Sequence, residues 1–158
     1  MDEMIRSELE AFHSGESIRA FRLLGCHRAV RDGVEGWVFR TWAPNAQHVS
    51  VVGDFNYWNI YDLPMEKISR GVWEAFSPNP KPGSTYKYFV TGPSGWGVYK
   101  MDPYGDRICA LPETSSIVTD LDGYRWKDAA YLEKREQRDV LHGPLNIYEV
   151  HLGSWKRH

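Results

Sequence analysis

Trp58 and Trp96 stand where strand alternation asks for no indole. Trp58 follows Asn56 in the turn-rich run Gly53-Asp54-Phe55-Asn56, and Trp96 lies between two glycines after Pro93-Ser94-Gly95. Such an indole either closes the edge of a core or offers a flat ring to a ligand. The second role suits a pyranose, whose apolar C–H face lies on an aromatic ring while side-chain donors meet its hydroxyls. Lys87 is a donor of that kind, on a strand-like run and on the face opposite Tyr86 and Tyr88. The chain holds seven Trp, nine Tyr and six Phe in 158 residues, more indole than a core of this size needs. Trp37, Trp42 and Trp73 fall inside strand patterns and are expected in the core.

Other chemistries find no support. The six histidines form no HExxH or i, i+4 ligand pair, and Cys26 and Cys109 stand far apart with no CxxC, so neither a metal site nor a disulfide framework is expected. No GxGxxG, P-loop or GxSxG run occurs, so no cofactor is expected. Ser154 has no local base, and Glu149 with His151 reads as a structural polar pair on one strand face. A net charge of −2, with no block of like charge, argues against nucleic acid and anionic membrane as partners. The N-terminal run MDEMIRSELEAF lacks an apolar signal region, and nothing approaches the roughly 18 apolar residues of a membrane span, so the expected compartment is the cytoplasm.

Helical spacing of Ile5, Leu9 and Phe12 predicts a first helix, and Ser17 to Leu24 a second, stopped by Gly25. From Gly33 the period changes to two. Trp37, Phe39 and Thr41 share one face, while Val38, Arg40 and Trp42 share the other. Further strands are expected over Val49–Val52, Val72–Phe76, Thr85–Val90, Trp96–Lys100 and Ser116–Thr119. Short strands punctuated by turns indicate an antiparallel sandwich. Trp126 to Arg138 is charged and weakly helical, and Leu145 to Leu152 reads as a short buried-type strand at the start of a second domain.

Two long runs carry a resemblance. Trp42-Ala43-Pro44-Asn45-Ala46 followed by Val49 to Trp58, with Tyr86-Lys87-Tyr88 and Asp102-Pro103-Tyr104-Gly105, resembles the family 48 carbohydrate-binding module, an immunoglobulin-like sandwich found ahead of glycoside hydrolase family 13 barrels. Asn146 to Trp155 is similar to the opening of the barrel in bacterial 1,4-α-glucan (glycogen) branching enzymes, and the early segment, Phe12-His13 with Arg19-Ala20 and Leu24-Gly25-Cys26-His27, also resembles those enzymes. The resemblance implies a mainly β protein: a helical leader (1–28), an immunoglobulin-like antiparallel sandwich (29–122), a connector (123–144) and one barrel-type strand (145–158). It implies α-glucan as partner, glycogen or maltooligosaccharides. Trp58 and Trp96 would be the stacking rings, Lys87 the donor, and Asn56 and Ser115, beside Thr114, further contacts.

The implied activity is retaining transfer of an α-1,4 chain to a 6-hydroxyl. Its carboxyl pair, about 5–5.5 Å apart, belongs to later strands of a barrel of roughly 250 residues. This chain is therefore expected to hold no catalytic residue and to be inactive alone, with the barrel as its missing partner. A strand over Leu145–Leu152 without neighbours would expose apolar surface and favour self-association. Two other readings stand beside this one: a stand-alone glycogen-targeting module, and a sandwich that braces a barrel and binds no sugar.

Overall fold

The computed structural model describes residues 3–123, 125–139 and 142–155. Two compact units divide at Leu121/Asp122. The first is mainly β. Helix α1 (Glu3–Ser14) precedes β1 (Gly25–Arg31), β2 (Val34–Trp42), β3 (His48–Gly53), β4 (Glu66–Ser69), β5 (Val72–Ser77), β6 (Thr85–Thr91), β7 (Gly97–Lys100) and β8 (Ser116–Ile117). One antiparallel sheet has the order β1-β2-β5-β4; the other runs β3-β6-β7, with β8 also on β6.

The period of two decides which side chains meet between the sheets. Cys26, Trp37, Phe39, Trp73 and Ala75 from the first sheet bury against Val49, Val51, Tyr86 and Tyr88 from the second. The rings of Phe39 and Tyr86 cross the interface edge to face, 5.1 Å between centroids. The opposite face of the first sheet is covered in part by α1: Leu9 joins Leu23, Leu24 and Val72 in a second small core, with Ile5 and Phe12 packed on it. No helix among the described residues is long and apolar enough to cross a membrane.

Four expectations are corrected. Residues 17–24 form one turn of 3-10 helix (Ala20–Arg22) instead of a longer helix; Leu23 and Leu24 cap the second core, a task that needs apolar residues but no helical stripe. The leader accordingly ends before residue 28, since Gly25 already begins β1 and pairs with Arg40. Trp42, expected inside, is 52% exposed. It shares the outer face with Val38 and Arg40, and there the Phe12 ring of α1 meets it edge-on. Finally, residues 144–151 form no strand, and Leu152–Trp155 make a single helical turn, α3. An extended segment persists only where a neighbour satisfies its backbone groups, and no described segment pairs with it. The second unit contains one further helix, α2 (Ala129–Glu136), within the stretch expected to be weakly helical.

Candidate functional site

The loop that carries Trp58 is held from behind. Gly53 sits where a Cβ would meet the Thr85 carbonyl and the Phe55 ring, so β3 can leave the sheet here only as glycine. Asp54 Oδ2 accepts hydrogen bonds from the Thr85 backbone N–H (2.9 Å) and hydroxyl (3.2 Å). Phe55 stacks on Phe39 in the core. Asn56 is buried; its Oδ1 accepts from the Gly53 N–H (2.8 Å) and its Nδ2 donates to the Val51 carbonyl (3.0 Å). The amide is thereby spent on loop geometry.

With those anchors the chain turns through Tyr57 and Trp58, two consecutive non-glycine residues at positive φ (54° and 59°). That conformation is costly for side chains of this size and persists only where surroundings dictate it. The Trp58 N–H closes the turn on the Gly53 carbonyl at 2.8 Å. The indole is left 37% exposed, and Tyr57 almost wholly so.

The second sheet supplies the floor. Register pairs Val52 with Lys87, Ser50 with Phe89, and His48 with Thr91, while Tyr99 and Gly97 of β7 pair with Phe89 and Thr91. These residues share the face turned away from the core. Phe89 lies across Gly97, where a Cβ would collide with its ring, and meets Tyr99 edge to face at 5.0 Å. A groove of about 610 Å³ runs beside this face, lined among others by Ile60, Tyr61, Pro64, Phe89 and Thr91.

Lys87 Nζ donates to Thr114 Oγ1 at 2.9 Å, which fixes the ammonium over the sheet. Trp96 closes the β6–β7 hairpin, its carbonyl accepting from the Gly92 N–H, and is 82% exposed. The backbones of the two indoles therefore leave the sheet near opposite ends of β6. Tyr86 pairs with Gly53 and Thr91 with Gly97, a separation of about 17 Å along a strand.

The structure thus places Lys87 on the outer face of the second sheet, with Trp58 and Trp96 exposed in the loops beyond its two ends. It keeps Asn56 and Ser115 in the interior, with exposed Thr114 next to Ser115 in sequence. Sequence reasoning missed Phe89, Tyr99 and Tyr61. Phe89 has the parity of Lys87, which marks it as outward; Tyr61 joins the groove only through the path of the loop.

Behind the floor sits a buried carboxylate. Asp102, 2% exposed, accepts at Oδ2 from the hydroxyls of Tyr86 (2.7 Å) and Tyr88 (3.0 Å), and at Oδ1 from the Tyr104 N–H (2.8 Å). Burial raises its pKa, against the opposing pull of these three bonds. Burial also pushes both phenols far up, with the Asp102 charge adding to it, so they remain protonated donors. This cluster fastens β6 to the Asp102-Pro103-Tyr104-Gly105 turn and gives Lys87 and Phe89 a rigid backbone.

Residues 23–105 match the family described as carbohydrate-binding module 48 (isoamylase N-terminal domain). The chain is 45% identical over 148 residues to the 1,4-alpha-glucan branching enzyme GlgB of Thermosynechococcus vestitus, covering 94% of this chain and 19% of that protein. It is 46% identical over 150 residues to the GlgB of Deinococcus radiodurans, covering 94% and 21%. The chain thus spans about a fifth of the length of these curated relatives. Among solved structures, a pullulanase from Paenibacillus barengoltzii complexed with maltotriose shares the fold at TM-score 0.52 and 24% identity, over 66% of this chain and 16% of that one. An alpha amylase from Salmonella typhimurium does so at 0.51 and 19%, over 68% and 16%.

Proposed function

The chain belongs to the carbohydrate-binding module 48 family, and on that footing we propose that it forms the α-glucan-binding N-terminal region of a 1,4-α-glucan branching enzyme. In the whole enzyme, active in the cytoplasm, a catalytic barrel would cleave α-1,4 links and pass the chain to a 6-hydroxyl. These 158 residues would supply the grip on the glucan. The observation that carries the reading is the pair of exposed indoles, Trp58 and Trp96, in the loops at opposite ends of β6, with the Lys87 ammonium between their points of departure.

A neutral polymer offers no charge to hold, so its affinity comes from ring stacking and a few hydroxyl bonds. Stacking contributes on the order of 0.5–1.5 kcal/mol per ring beyond area burial. Two rings with one cationic donor give weak affinity, of order 0.1–1 mM. Trp58→Ala should weaken maltoheptaose binding about tenfold while leaving the melting transition in place, because the loop is held by Asp54, Phe55 and Asn56 rather than by the indole. Trp96→Ala should act similarly, and Lys87→Ala more mildly. Isothermal titration of the three variants is the test. Unchanged affinity in both tryptophan variants would overturn the assignment of these rings, and no measurable binding by the unmutated chain would leave the sandwich as a brace without sugar.

The 158-residue chain should also leave the iodine stain of amylose at the level of a buffer blank. Retaining transfer requires two carboxyl groups about 5–5.5 Å apart across the scissile bond, and the reading assigns both to the barrel. Loss of stain above the blank would overturn that division of labour.

A further inference from the structure

Trp42 is the feature that neither the core nor the Trp58–Trp96 pair absorbs. Its indole lies at the end of β2 on the outer face of the first sheet, across the sandwich from Lys87. Although half exposed, it is fixed: Nε1 donates to the Arg70 carbonyl at 3.3 Å, and the Phe12 ring meets it edge-on at 5.8 Å and 80°. Arg70, in the turn between β4 and β5, is exposed, and among the described residues its guanidinium has no carboxylate partner. Beside it, His13 Nε2 shares a hydrogen bond of 3.1 Å with Ser69 Oγ. Burial, aided by the Arg70 charge, lowers the pKa of this imidazole, which leaves it neutral at pH 7. Among the described residues the cluster thus joins a half-exposed, anchored indole to an exposed guanidinium with no ion-pair partner.

We propose that Trp42 and Arg70 form a second α-glucan platform, on the outer face of the first sheet, across the sandwich from Lys87. This rests on the reading of the chain as a glucan-binding module. The ring is already immobilised, so stacking a pyranose on it costs little ordering entropy, and the guanidinium presents five donors to hydroxyl oxygens. Two platforms on opposite faces of one rigid module cannot be bridged by a short oligosaccharide. A branched polymer can reach both with different branches, and the second contact then forms at high effective concentration. The site therefore discriminates by architecture: its contribution is larger on glycogen than on maltoheptaose.

The test follows the Trp42 Nε1–H resonance of the 15N-labelled chain, assigned by its loss in Trp42→Phe, during titration with maltoheptaose. The titration is repeated in a Trp58→Ala, Trp96→Ala double variant. The Trp42 signal should shift saturably in both, and Arg70→Ala, which touches no core contact, should weaken that shift about three- to tenfold. Co-sedimentation with glycogen should fall by a larger factor in Arg70→Ala than maltoheptaose affinity does. A Trp42 resonance that stays still while the Trp58 resonance moves overturns the second platform and leaves the first intact. If neither moves, the glucan-binding reading itself fails and takes this inference with it.

Discussion

Replacing Glu74 with alanine should lower the unfolding free energy by about 3–5 kcal/mol, the cost of leaving a buried cation unpaired. Glu74 lies on β5, on the outer face of the first sheet, between two guanidiniums. Its Oε2 is 2.6 Å from Arg40 Nε and its Oε1 is 2.6 Å from Arg31 Nη2. The Arg40 side chain is 7% exposed and spends one further N–H on the Leu23 carbonyl at 3.3 Å. Without the carboxylate this charge keeps only that carbonyl. Arg31 is more than a third exposed, so water screens it and its share is small.

Glu74→Gln, which retains an acceptor oxygen, should cost less than Glu74→Ala. A Glu74→Leu, Arg40→Met double variant should recover most of the stability, because removing both charges avoids the unpaired one. Urea melts of the four proteins decide the matter. A loss below about 1 kcal/mol in Glu74→Ala would mean the pair behaves like a surface ion pair.

Asp102→Ala should cost about 2–4 kcal/mol, since each buried hydroxyl left without an acceptor costs about 1–3 kcal/mol. Tyr86 loses its partner outright, whereas Tyr88 keeps a longer bond to the Arg40 carbonyl at 3.3 Å. A pH signature accompanies the loss. Burial raises the Asp102 pKa above the ordinary value near 3.8, so the folded state holds this proton more tightly than the unfolded chain does. The resulting stabilisation is full below the unfolded pKa and is lost as pH rises through the folded one. The stability difference between the native sequence and Asp102→Asn should therefore shrink with rising pH across that window. Denaturant melts from pH 3.5 upward, at intervals of about half a unit, would read it. A difference that grows with pH would show that the tyrosine and backbone bonds outweigh burial.

Short apolar runs between turns were enough to find β2, β3, β5, β6 and β7, although burial alternates clearly only in β5 and β6, while β2 and β3 are buried on both faces over most of their length. The period of two also put Lys87 on the side away from Tyr86 and Tyr88, where it stands. Strands β1 and β4 escaped notice because Gly25–Arg31 and Glu66–Ser69 carry charged residues and no apolar run, with few fully buried positions. The loop of Trp58 was recognisable from Gly53 to Asn56, but the roles within it were not. The resemblance makes Asn56 a glucan contact, and in the structure its amide bonds Gly53 and Val51 and sets the turn.

What the residues determine alone is parity: which side chains share a face of a strand, and therefore which can form a core or a platform together. They do not determine what lies against that face. Trp42 has the alternation of a core residue and is half exposed, because its ring lies on the outer face of the first sheet beside Val72, where the Phe12 ring of α1 meets it edge-on and leaves about half of it uncovered. Asp102 carries a charge-bearing side chain and is nonetheless buried, because two tyrosines 14 and 16 residues earlier deliver their hydroxyls to it. Residues 145–152 carry a strand's pattern and form none, because a strand's hydrogen bonds belong to its neighbours. Coverage, burial of charge and backbone pairing are properties of two segments at once, and only the tertiary structure brings the second one.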